Sequence, residues 1–325
     1  MNLHVLHVIR DLDAASGGPS RSVPALANAQ ANLPGIEVSV IYGERGNPLA
    51  ESGQGSAKFV PVKGGISSAL TTESSGESPA IIHLHGLWDP LLHSSASFAI
   101  KQGLPYAVST RGMLADWALR HKALKKKIGW WLYQRRDLQQ SDCLLASSAF
   151  EEDYIRRLVS GNRIEVIPNG CHDRPELDGS ESGSVLNIES RWALALGRLH
   201  PVKGYAELID AWAAVNPEGW KLAIAGPDED GYKAVLEQQI RSNGLEGQVV
   251  LLGEVDDAAK WPLLDQCELF LAPSHTENFG MAIAESLQSG KPVLTTTGTP
   301  WQELEQLECG WWVKPGKQDI EDGLQ

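Results

Sequence analysis

Residues 273–303 decide the fold of this chain, and they read PSHTENFGMAIAESLQSGKPVLTTTGTPWQE. The apolar run CELFLAP that leads into them, residues 267–273, predicts a buried strand. A polar turn, a helix over residues 279–288, a glycine and a second strand over residues 292–296 are expected to follow. Strand, helix and strand in this order form the repeating unit of a parallel sheet, so the stretch predicts an α/β fold.

Two glutamates, Glu277 and Glu285, bracket the predicted helix at a spacing of eight residues. Helical geometry places Phe279, Ile283 and Leu287 on one apolar stripe and directs Glu285 roughly opposite to it, out of the core. Glu277 precedes the first turn, whose backbone N–H groups lack intrahelical partners and attract phosphate or sugar hydroxyls. The two carboxylates therefore indicate either a ligand site or ordinary helix capping with an exposed glutamate.

Strand and helix patterns alternate along the whole chain. Apolar strand patterns occur at residues 3–9, 37–42, 58–62, 80–84, 106–109, 143–146, 163–167, 192–196, 221–225 and 248–252. An acidic connector rich in Ser and Gly, residues 173–189, separates them into two groups. The chain is therefore predicted to form one domain at residues 1–172 and a second at residues 190–325.

Two local features of the first domain lead to specific predictions. Residues 64–79 are rich in Gly, Ser and Thr and are predicted to form a polar loop with little to bury. Ser148 followed three residues later by Glu151 predicts a capping box at the start of a helix.

Two further loops carry groups suited to binding an anion. Arg198 and Lys203 lie in GRLHPVKGY, in the loop and first helical turn after a predicted strand. Gly17-Gly18-Pro19-Ser20 follows the first strand, an arrangement that brings backbone N–H groups close to an anion. This loop is not G-x-G-x-x-G, so a nicotinamide dinucleotide is disfavoured as its ligand. Either loop, taken alone, is also typical of an ordinary surface turn.

Together these motifs resemble the retaining glycosyltransferases of family 4. The resemblance rests on glutamate-x7-glutamate with Asn-Phe-Gly after the first glutamate, on G-R-L-x3-K-G at residues 197–204 and on I-P-N-G at residues 167–170. It implies a GT-B fold, in which a Rossmann-like acceptor domain and a Rossmann-like donor domain face a cleft. It also implies transfer of a sugar from a nucleoside-diphosphate sugar to a carbohydrate or lipid-linked hydroxyl acceptor, in polysaccharide or glycolipid assembly.

The resemblance assigns roles to the glutamate motif. Glu277 would hold hydroxyls of the donor sugar, together with the backbone amides of Asn278, Phe279 and Gly280. Glu285 would hold the ribose of the nucleotide.

The resemblance assigns the loops to the diphosphate. Arg198 and Lys203 would stabilise the departing nucleoside diphosphate, because fixed cations favour a transition state in which negative charge grows. The amides of Gly17 and Gly18 would face the same group. Arg198, Lys203 and Glu277 are thus the expected catalytic residues. No metal ion and no cofactor are expected, since cations and amides can take a metal's place and no Asp-x-Asp motif occurs.

Two residues of the first domain are candidates for further substrate contacts. His85 stands at the C-terminal end of a predicted strand, where open α/β sheets place their ligands. Some family members carry a catalytic histidine in the loop after the next strand, whereas this chain has Thr110-Arg111-Gly112. Arg111 is expected either to contact the donor or an acidic acceptor group, or to be an ordinary surface arginine.

Composition limits the classes of function. A formal net charge of −13 disfavours nucleic-acid binding. The four cysteines lie far apart, with neither metal-ligand spacing nor a disulfide framework, which is typical of a cytoplasmic protein. No apolar run approaches the ~20 residues of a membrane-spanning helix, so at most a peripheral position on the inner face of the membrane is expected.

Residues 113–140 have the most unusual composition in the chain, MLADWALRHKALKKKIGWWLYQRRDLQQ. Residues 111–136 contain eight Lys or Arg against one acid, a local charge of +7. Large apolar residues recur among them at helical spacing. This pattern predicts either contact of residues 113–136 with an anionic membrane or a lipid-linked acceptor, or helices whose apolar face packs on their own sheet.

Two other functions remain as alternatives. Nucleotide-sugar epimerases share the expected architecture. The family normally continues with further helices after Gly310-Trp311-Trp312-Val313, the last crossing back to the first domain, whereas this chain stops at Gln325. Either a truncated chain or the absence of the crossover element is therefore expected, and a donor-binding module made inactive by that loss is the second alternative.

Overall fold

The structure is a computed structural model that describes residues 2–13, 18–45, 55–76, 78–171, 186 and 190–325. The chain divides into two compact units, Met1–Gly170 and Cys171–Gln325, each built on its own parallel sheet. The predicted linker at residues 173–189 lies outside the described residues apart from Leu186.

The first unit alternates strands and helices. Its strands are β1 (Leu3–Ile9), β2 (Ile36–Gly43), β3 (Lys58–Val62), β4 (Ala80–His85), β5 (Tyr106–Ser109), β6 (Cys143–Ala146) and β7 (Ile164–Val166). Its helices are α1 (Gly18–Ala31), α2 (Ile66–Ser74), α3 (Pro90–Gln102), α4 (Asp116–Arg120), α5 (Ala123–Gly129), α6 (Arg135–Gln139) and α7 (Ala149–Leu158). The predicted strands of this half are confirmed to within two residues at each end.

The sheet of the first unit has the order β3-β2-β1-β4-β5-β6-β7, and all of its strands are parallel. The order reverses between β1 and β4, because the chain first builds outward through β2 and β3 and then returns to the other side of β1. Register pairs His7 with His83, Ile9 with His85, and His85 with Ser109. The C-terminal ends of β1, β4 and β5 therefore lie side by side.

Apolar side chains on both faces of this sheet form its core, as a parallel sheet covered by helices requires. One face packs Leu6, Ile82, Leu84, Leu144 and Ile155, and the other packs Val23, Ala27, Val38 and Val40. The predicted cap of α7 is present, since Ser148 Oγ accepts a hydrogen bond from the backbone N–H of Glu151 at 3.2 Å.

The prediction of a polar loop at residues 64–79 is wrong, because Ile66–Ser74 is helix α2. Ile66 and Leu70 are buried against the core, and Glu73 is buried between Lys58 and Ser39. The apolar spacing of four residues was the available signal, and the Ser and Thr residues around it concealed it.

Residues 113–140 do not form one continuous helix. Helices α4 and α5 are followed by a π-helical turn, Trp130–Gln134, and then by α6. Trp130 packs near Trp88 against the core. Five other large apolar residues are 53–75% exposed: Trp117, Leu124, Ile128, Trp131 and Leu132. These five contradict the alternative in which the apolar face packs on its own sheet.

The second unit repeats the pattern. Its strands are β8 (Arg191–Leu196), β9 (Trp220–Ala225), β10 (Val249–Gly253), β11 (Leu269–Ala272), β12 (Val293–Thr296) and β13 (Gly310–Val313). Its helices are α8 (Tyr205–Val215), α9 (Tyr232–Ser242), α10 (Asp257–Gln266), α11 (Met281–Gln288), α12 (Glu303–Gln306) and α13 (Lys317–Leu324), with a 3-10 turn at Pro201–Lys203. The parallel sheet has the order β10-β9-β8-β11-β12-β13, so its order reverses between β8 and β11.

The two faces of the second sheet are also apolar. Trp212 and Tyr205 of α8 are fully buried on one face, and Phe270 of β11 is buried on the other. Within the described residues, no helix has both the length and the apolar character needed to span a membrane.

Burial of α2 gives a direct test of the corrected fold. Leu70→Ala is expected to lower the free energy of unfolding of the first unit by about 2–5 kcal/mol, because it removes a fully buried side chain. Leu33→Ala, the same change at a side chain 52% exposed, is expected to cost about 0.5 kcal/mol or less. Urea unfolding of both variants measures the difference, and equal losses would contradict a packed α2.

Candidate functional site

In the second unit, three loops converge where the strand order reverses. The backbone N–H of His275, after β11, donates to the carbonyl of Val202, after β8, at 2.8 Å. The N–H of Glu277 donates to the carbonyl of Gly298, after β12, at 2.9 Å. Gly204 has φ +70°, and a Cβ there would lie 2.1 Å from the carbonyl oxygen of Pro273. Only glycine permits this close approach of the two loops.

This convergence brings Lys203 and Glu277 into contact. Lys203 Nζ donates to Glu277 Oε1, and Ser274 Oγ donates to the same oxygen at 3.2 Å. Both charged side chains are about one-fifth exposed, so a ligand can reach them. The two residues predicted to hold the diphosphate and the sugar therefore form one site, and Ser274 is a member that the sequence did not suggest.

Arg198 lies in the same loop as Lys203 but has a different partner. Its Nη1 donates to Glu229 Oε2 in an ion pair whose members are at least one-third exposed. Glu229 belongs to the polar loop after β9, which pairs with the Arg198 loop through Leu199 and Asp228. The guanidinium is thus anchored at the edge of the sheet and stays accessible to solvent.

The helix predicted over residues 279–288 begins two residues later, since α11 starts at Met281 with Gly280 before it at φ +87°, and Phe279 therefore lies in the preceding loop. The ring of Phe279 lies tilted against that of Trp301, whose indole N–H donates to the Phe279 carbonyl at 2.5 Å. Asn278 lies in the loop between Glu277 and Phe279. These residues form the rim of the loop that carries Glu277.

The predicted outward direction of Glu285 is wrong. Its side chain is only 10% exposed, and its Oε1 accepts from Lys260 Nζ of α10 at 2.8 Å. Lys260 comes from a helix outside the motif, so the spacing of the two glutamates could not reveal it. Glu285 is a buried, charge-paired carboxylate instead of an exposed one.

The glycine loop of the first unit is only partly described. Gly17 lies outside the described residues. Gly18 is the first residue of α1, and a Cβ added there would have no neighbouring atom within 4 Å. Their role as amides facing a diphosphate stays a prediction.

A chain of polar side chains lies at the C-terminal ends of β1, β4 and β5 in the first unit. His7 Nδ1 and His85 Nε2 are 2.8 Å apart, and His7 Nε2 lies 2.7 Å from Gln30 Oε1 of α1. His85 Nδ1 lies 3.0 Å from Arg111 Nη2, and Arg111 Nη1 donates to Asn169 Oδ1 at 3.0 Å. The structure therefore joins His85 and Arg111, two residues predicted separately as substrate contacts.

Glu151 fixes the backbone of the Arg111 loop. Its buried carboxylate accepts from Thr110 Oγ1 at 2.6 Å and from the backbone N–H of Gly112. Its other oxygen accepts from both the N–H and the hydroxyl of Ser147. Arg111 itself has φ +53°, a conformation that non-glycine residues rarely adopt.

Burial keeps the three histidines neutral. Desolvation lowers the pKa of His7 from 6.5 to about 4, with a smaller contribution from the charge of Arg111. The pKa values of His83 and His85 are also well below the usual value, again mainly because of burial. Arg111 is therefore the cation of this cluster near neutral pH.

One ring nitrogen from each of His7, His83 and His85 lies within 4.8 Å of the others, a spacing that could hold a metal ion. Arg111 disfavours this use, because an arginine can only donate and so occupies the lone pair of His85 Nδ1. The remaining His85 nitrogen then carries a proton towards His7. The donor set fits a hydrogen-bond chain better than a metal centre.

Two Rossmann-like parallel sheets, one in each unit, are the architecture of the GT-B fold. Residues 17–170 match the family described as "Glycosyl transferase 4-like domain", and residues 182–325 match "Glycosyl transferases group 1". The chain belongs to this glycosyltransferase family, as its motifs predicted, and is therefore a sugar transferase.

Individual relatives share only a quarter to a third of their aligned residues with this chain. A GDP-mannose:cellobiosyl-diphosphopolyprenol alpha-mannosyltransferase of Xanthomonas campestris is 25% identical over 313 residues, 90% of this chain and 78% of that protein. A mannosylfructose-phosphate synthase of Agrobacterium fabrum is 32% identical over 146 residues, 41% of this chain and 32% of its own length.

Solved structures share the fold. Sucrose-phosphate synthase from Thermosynechococcus elongatus aligns with a TM-score of 0.77 at 17% identity, over 100% of this chain and 89% of the other. HepE of Anabaena, in complex with UDP and glucose, aligns with a TM-score of 0.73 at 19% identity, over 98% of this chain and 88% of the other.

Several site residues escaped the sequence: Ser274, Lys260, Glu229, His7, Gln30, Glu151 and Asn169. His7 gave a signal, because it is a polar residue within an otherwise apolar strand pattern, and Glu151 and Asn169 belong to motifs that predict a helix cap and a turn. Lys260, Glu229 and Gln30 act through contacts between segments more than 20 residues apart, whereas Ser274 contacts Glu277 three residues away.

The buried histidines predict a loss of stability in mild acid. The unfolded chain binds protons below pH 6.5, whereas folded His7 stays neutral down to about pH 4, so stability falls as the pH drops between these values. For His7 alone, the full loss in the free energy of unfolding is about 3 kcal/mol. Urea unfolding between pH 7.5 and 5 should show a shallower pH dependence for His7→Asn than for His121→Asn, an exposed site. An identical pH dependence of stability in the two variants would contradict the lowered pKa of His7.

Proposed function

We propose that this chain transfers a sugar, with retention of anomeric configuration, from a nucleoside-diphosphate sugar to a hydroxyl of a carbohydrate or lipid-linked acceptor. The observation that carries the proposal is the Lys203–Glu277 pair, held with Ser274 where the strand order of the second unit reverses. Open parallel sheets bind ligands at this position.

The pair suits a donor that carries both phosphate and hydroxyl groups. Without donor, Glu277 neutralises Lys203. When the donor binds, its diphosphate competes for Lys203, and Glu277 is released to accept hydrogen bonds from sugar hydroxyls. Lys203 then stabilises charge that grows on the leaving phosphate, which accelerates bond cleavage more than it strengthens ground-state binding.

Arg198 and Glu285 would complete the donor site. Arg198 can exchange the exposed carboxylate of Glu229 for a phosphate at little cost, because exposed ion pairs are weak. Glu285, hydrogen-bonded by Lys260, would accept from the ribose hydroxyls. In this proposal the cations do the work of a metal ion, and no cofactor takes part.

Substitutions at the pair test the donor site. Lys203→Met and Glu277→Gln are each expected to lower kcat by about 100- to 1,000-fold, the effect of removing one preorganised charge-stabilising group. Lys233→Met, at an exposed lysine of α9, should leave kcat unchanged. Release of nucleoside diphosphate is measured over a panel of nucleotide sugars with and without acceptor, and NMR of the product gives its anomeric configuration.

The outcomes separate this proposal from other uses of the fold. An altered sugar formed from donor alone would indicate an epimerase, and binding without turnover would indicate a donor-binding module. Full activity in the Glu277→Gln, Arg198→Ala double variant would refute the donor site.

We also propose that the enzyme works at the cytoplasmic face of a membrane, on an acceptor with a lipid diphosphate. The Xanthomonas relative is named for such an acceptor. Support from this chain comes from the 113–136 surface, defined by the five exposed apolar residues given above and the exposed basic residues Arg120, Lys122, Lys125, Lys127 and Arg135. None of these five cations forms an ion pair with a carboxylate of the described residues.

Such a surface matches an anionic bilayer, which takes apolar side chains at the headgroup boundary and attracts fixed positive charge. Lys126 is an exception, since its amine turns inward to the carbonyl of Ala118 and over the ring of Trp88. The unpaired lysines on either side of it point to solvent instead.

Vesicle flotation tests the membrane contact. The chain is expected to bind vesicles containing phosphatidylglycerol, to bind pure phosphatidylcholine weakly, and to dissociate as salt rises. Lys125→Gln with Lys127→Gln should weaken binding roughly tenfold or more, at about 1 kcal/mol for each charge. Leu132→Ser should also weaken it, whereas Leu307→Ser, at an equally exposed leucine of the second unit, should not. Binding independent of lipid charge would contradict the proposal.

A further inference from the structure

Arg111 occupies a position that is hard to explain by packing alone. It follows β5, at the edge where β1 and β4 also end, next to the reversal of strand order in the first unit. Its backbone is held at φ +53°, and Glu151 ties down the residues on both sides. Such a strained conformation persists only when the surroundings hold it firmly, and it is typical of ligand sites.

The hydrogen bonds around Arg111 run in one direction. Arginine only donates, so His85 Nδ1 must accept from Arg111 Nη2, and the proton of His85 then lies on Nε2. That N–H donates to His7 Nδ1, which leaves the His7 proton on Nε2, where it donates to Gln30 Oε1. Each imidazole thus has one defined tautomer, set by Arg111 at one end and by Gln30 at the other.

The charge of Arg111 has neutral partners. Its two bonded acceptors are the amide oxygen of Asn169 and the imidazole of His85, and no carboxylate of the described residues forms an ion pair with it. Its Nε is buried and has no hydrogen-bond partner. Burial lowers the pKa of the guanidinium, and the nearby charge of Glu151 offsets this only in part.

We propose that Arg111 binds a phosphate group of a substrate, and that His85, supported by His7 and Gln30, is a positioning residue that orients the guanidinium. The inference rests on the proposed function, in which both donor and acceptor carry a diphosphate. A planar guanidinium binds phosphate through paired hydrogen bonds, and in the proposed reaction both substrates carry phosphate.

Neutral acceptors explain how the site can be both rigid and available. A carboxylate partner would fix the guanidinium but would also cancel its charge, and a phosphate would have to displace it. Asn169 and His85 fix the orientation and leave the positive charge for the ligand. Because the side chain is already ordered, less conformational entropy is lost when the phosphate binds.

Two sources of phosphate are distinguished by the ligands used. Binding of UDP and GDP, and separately of farnesyl diphosphate as a short lipid diphosphate, is measured by calorimetry for the whole chain. Arg111→Gln is expected to weaken at least one class by about 10- to 100-fold, as for loss of a charged hydrogen bond. A loss of affinity confined to farnesyl diphosphate assigns the site to the acceptor. A loss of affinity confined to the nucleotides assigns it to the donor. Arg156→Gln, at an exposed arginine of α7, is the control.

His85 variants test positioning separately from folding. Asparagine carries an oxygen close to where His85 Nδ1 stands, so His85→Asn keeps an acceptor for Arg111, whereas His85→Leu removes it. His85→Leu should lower the affinity for the ligand class that Arg111→Gln affects by at least fivefold. His85→Asn should retain most of the wild-type affinity, at a thermal stability equal to that of His85→Leu. Arg111→Lys should retain more affinity than Arg111→Gln, which keeps the test valid if the glutamine variant folds poorly.

Clear outcomes would overturn the inference. These are unchanged affinity for both ligand classes in Arg111→Gln, equal affinities of His85→Leu and His85→Asn, and stoichiometric Zn²⁺ binding by the whole chain that His85→Asn abolishes. If Glu277→Gln still impairs turnover in those cases, the proposed transfer reaction stands and only the role of Arg111 fails.

Discussion

The reversal of strand order in each parallel sheet is the constraint on which the rest of the structure depends. Right-handed crossovers place the helices before and after the reversal on opposite faces, so neither helix covers the C-terminal ends of the two central strands, where open sheets bind ligands. The reversals fall between β1 and β4 and between β8 and β11. The candidate site groups of both units lie at or next to these reversals: Arg111 beside His85 in the first, and Lys203 beside Glu277 in the second.

The two units hold their cations in different ways. In the second unit Lys203, Arg198 and Lys260 each have a carboxylate partner, so a bound anion must compete with protein charge. The competition is mild for the exposed Arg198 pair and stronger for the less exposed Lys203 pair, because solvent screens the former. In the first unit Arg111 is held by neutral acceptors, and no exchange of partners is needed. The same fold thus supplies one site whose cations are paired with carboxylates before a ligand binds, and one site whose cation, Arg111, keeps its positive charge unpaired by any carboxylate of the described residues.

The segment between β5 and β6 shows how helical geometry separates apolar residues with different roles. The π-helical turn at Trp130–Gln134 changes the direction in which side chains leave the helix. Trp130 packs near Trp88, while its neighbour Trp131 faces solvent, since adjacent residues on a helix point in different directions. Lys126 likewise turns inward, and burial lowers its pKa. The result is a surface with aromatic and aliphatic side chains exposed among unpaired cations.

The sequence by itself determined the α/β class, most strand positions and the loops that carry Arg198, Lys203 and Glu277, because apolar runs and glycine-containing turns are local signals. It missed α2, whose two buried residues lie among Ser and Thr, and it misplaced Glu285, because Lys260 reaches that carboxylate from another helix. Only the tertiary structure decided which charged groups meet. His7 and His85 are 78 residues apart, and Lys203 and Glu277 are 74 apart. Pairs this distant come together through sheet topology, which no local pattern specifies.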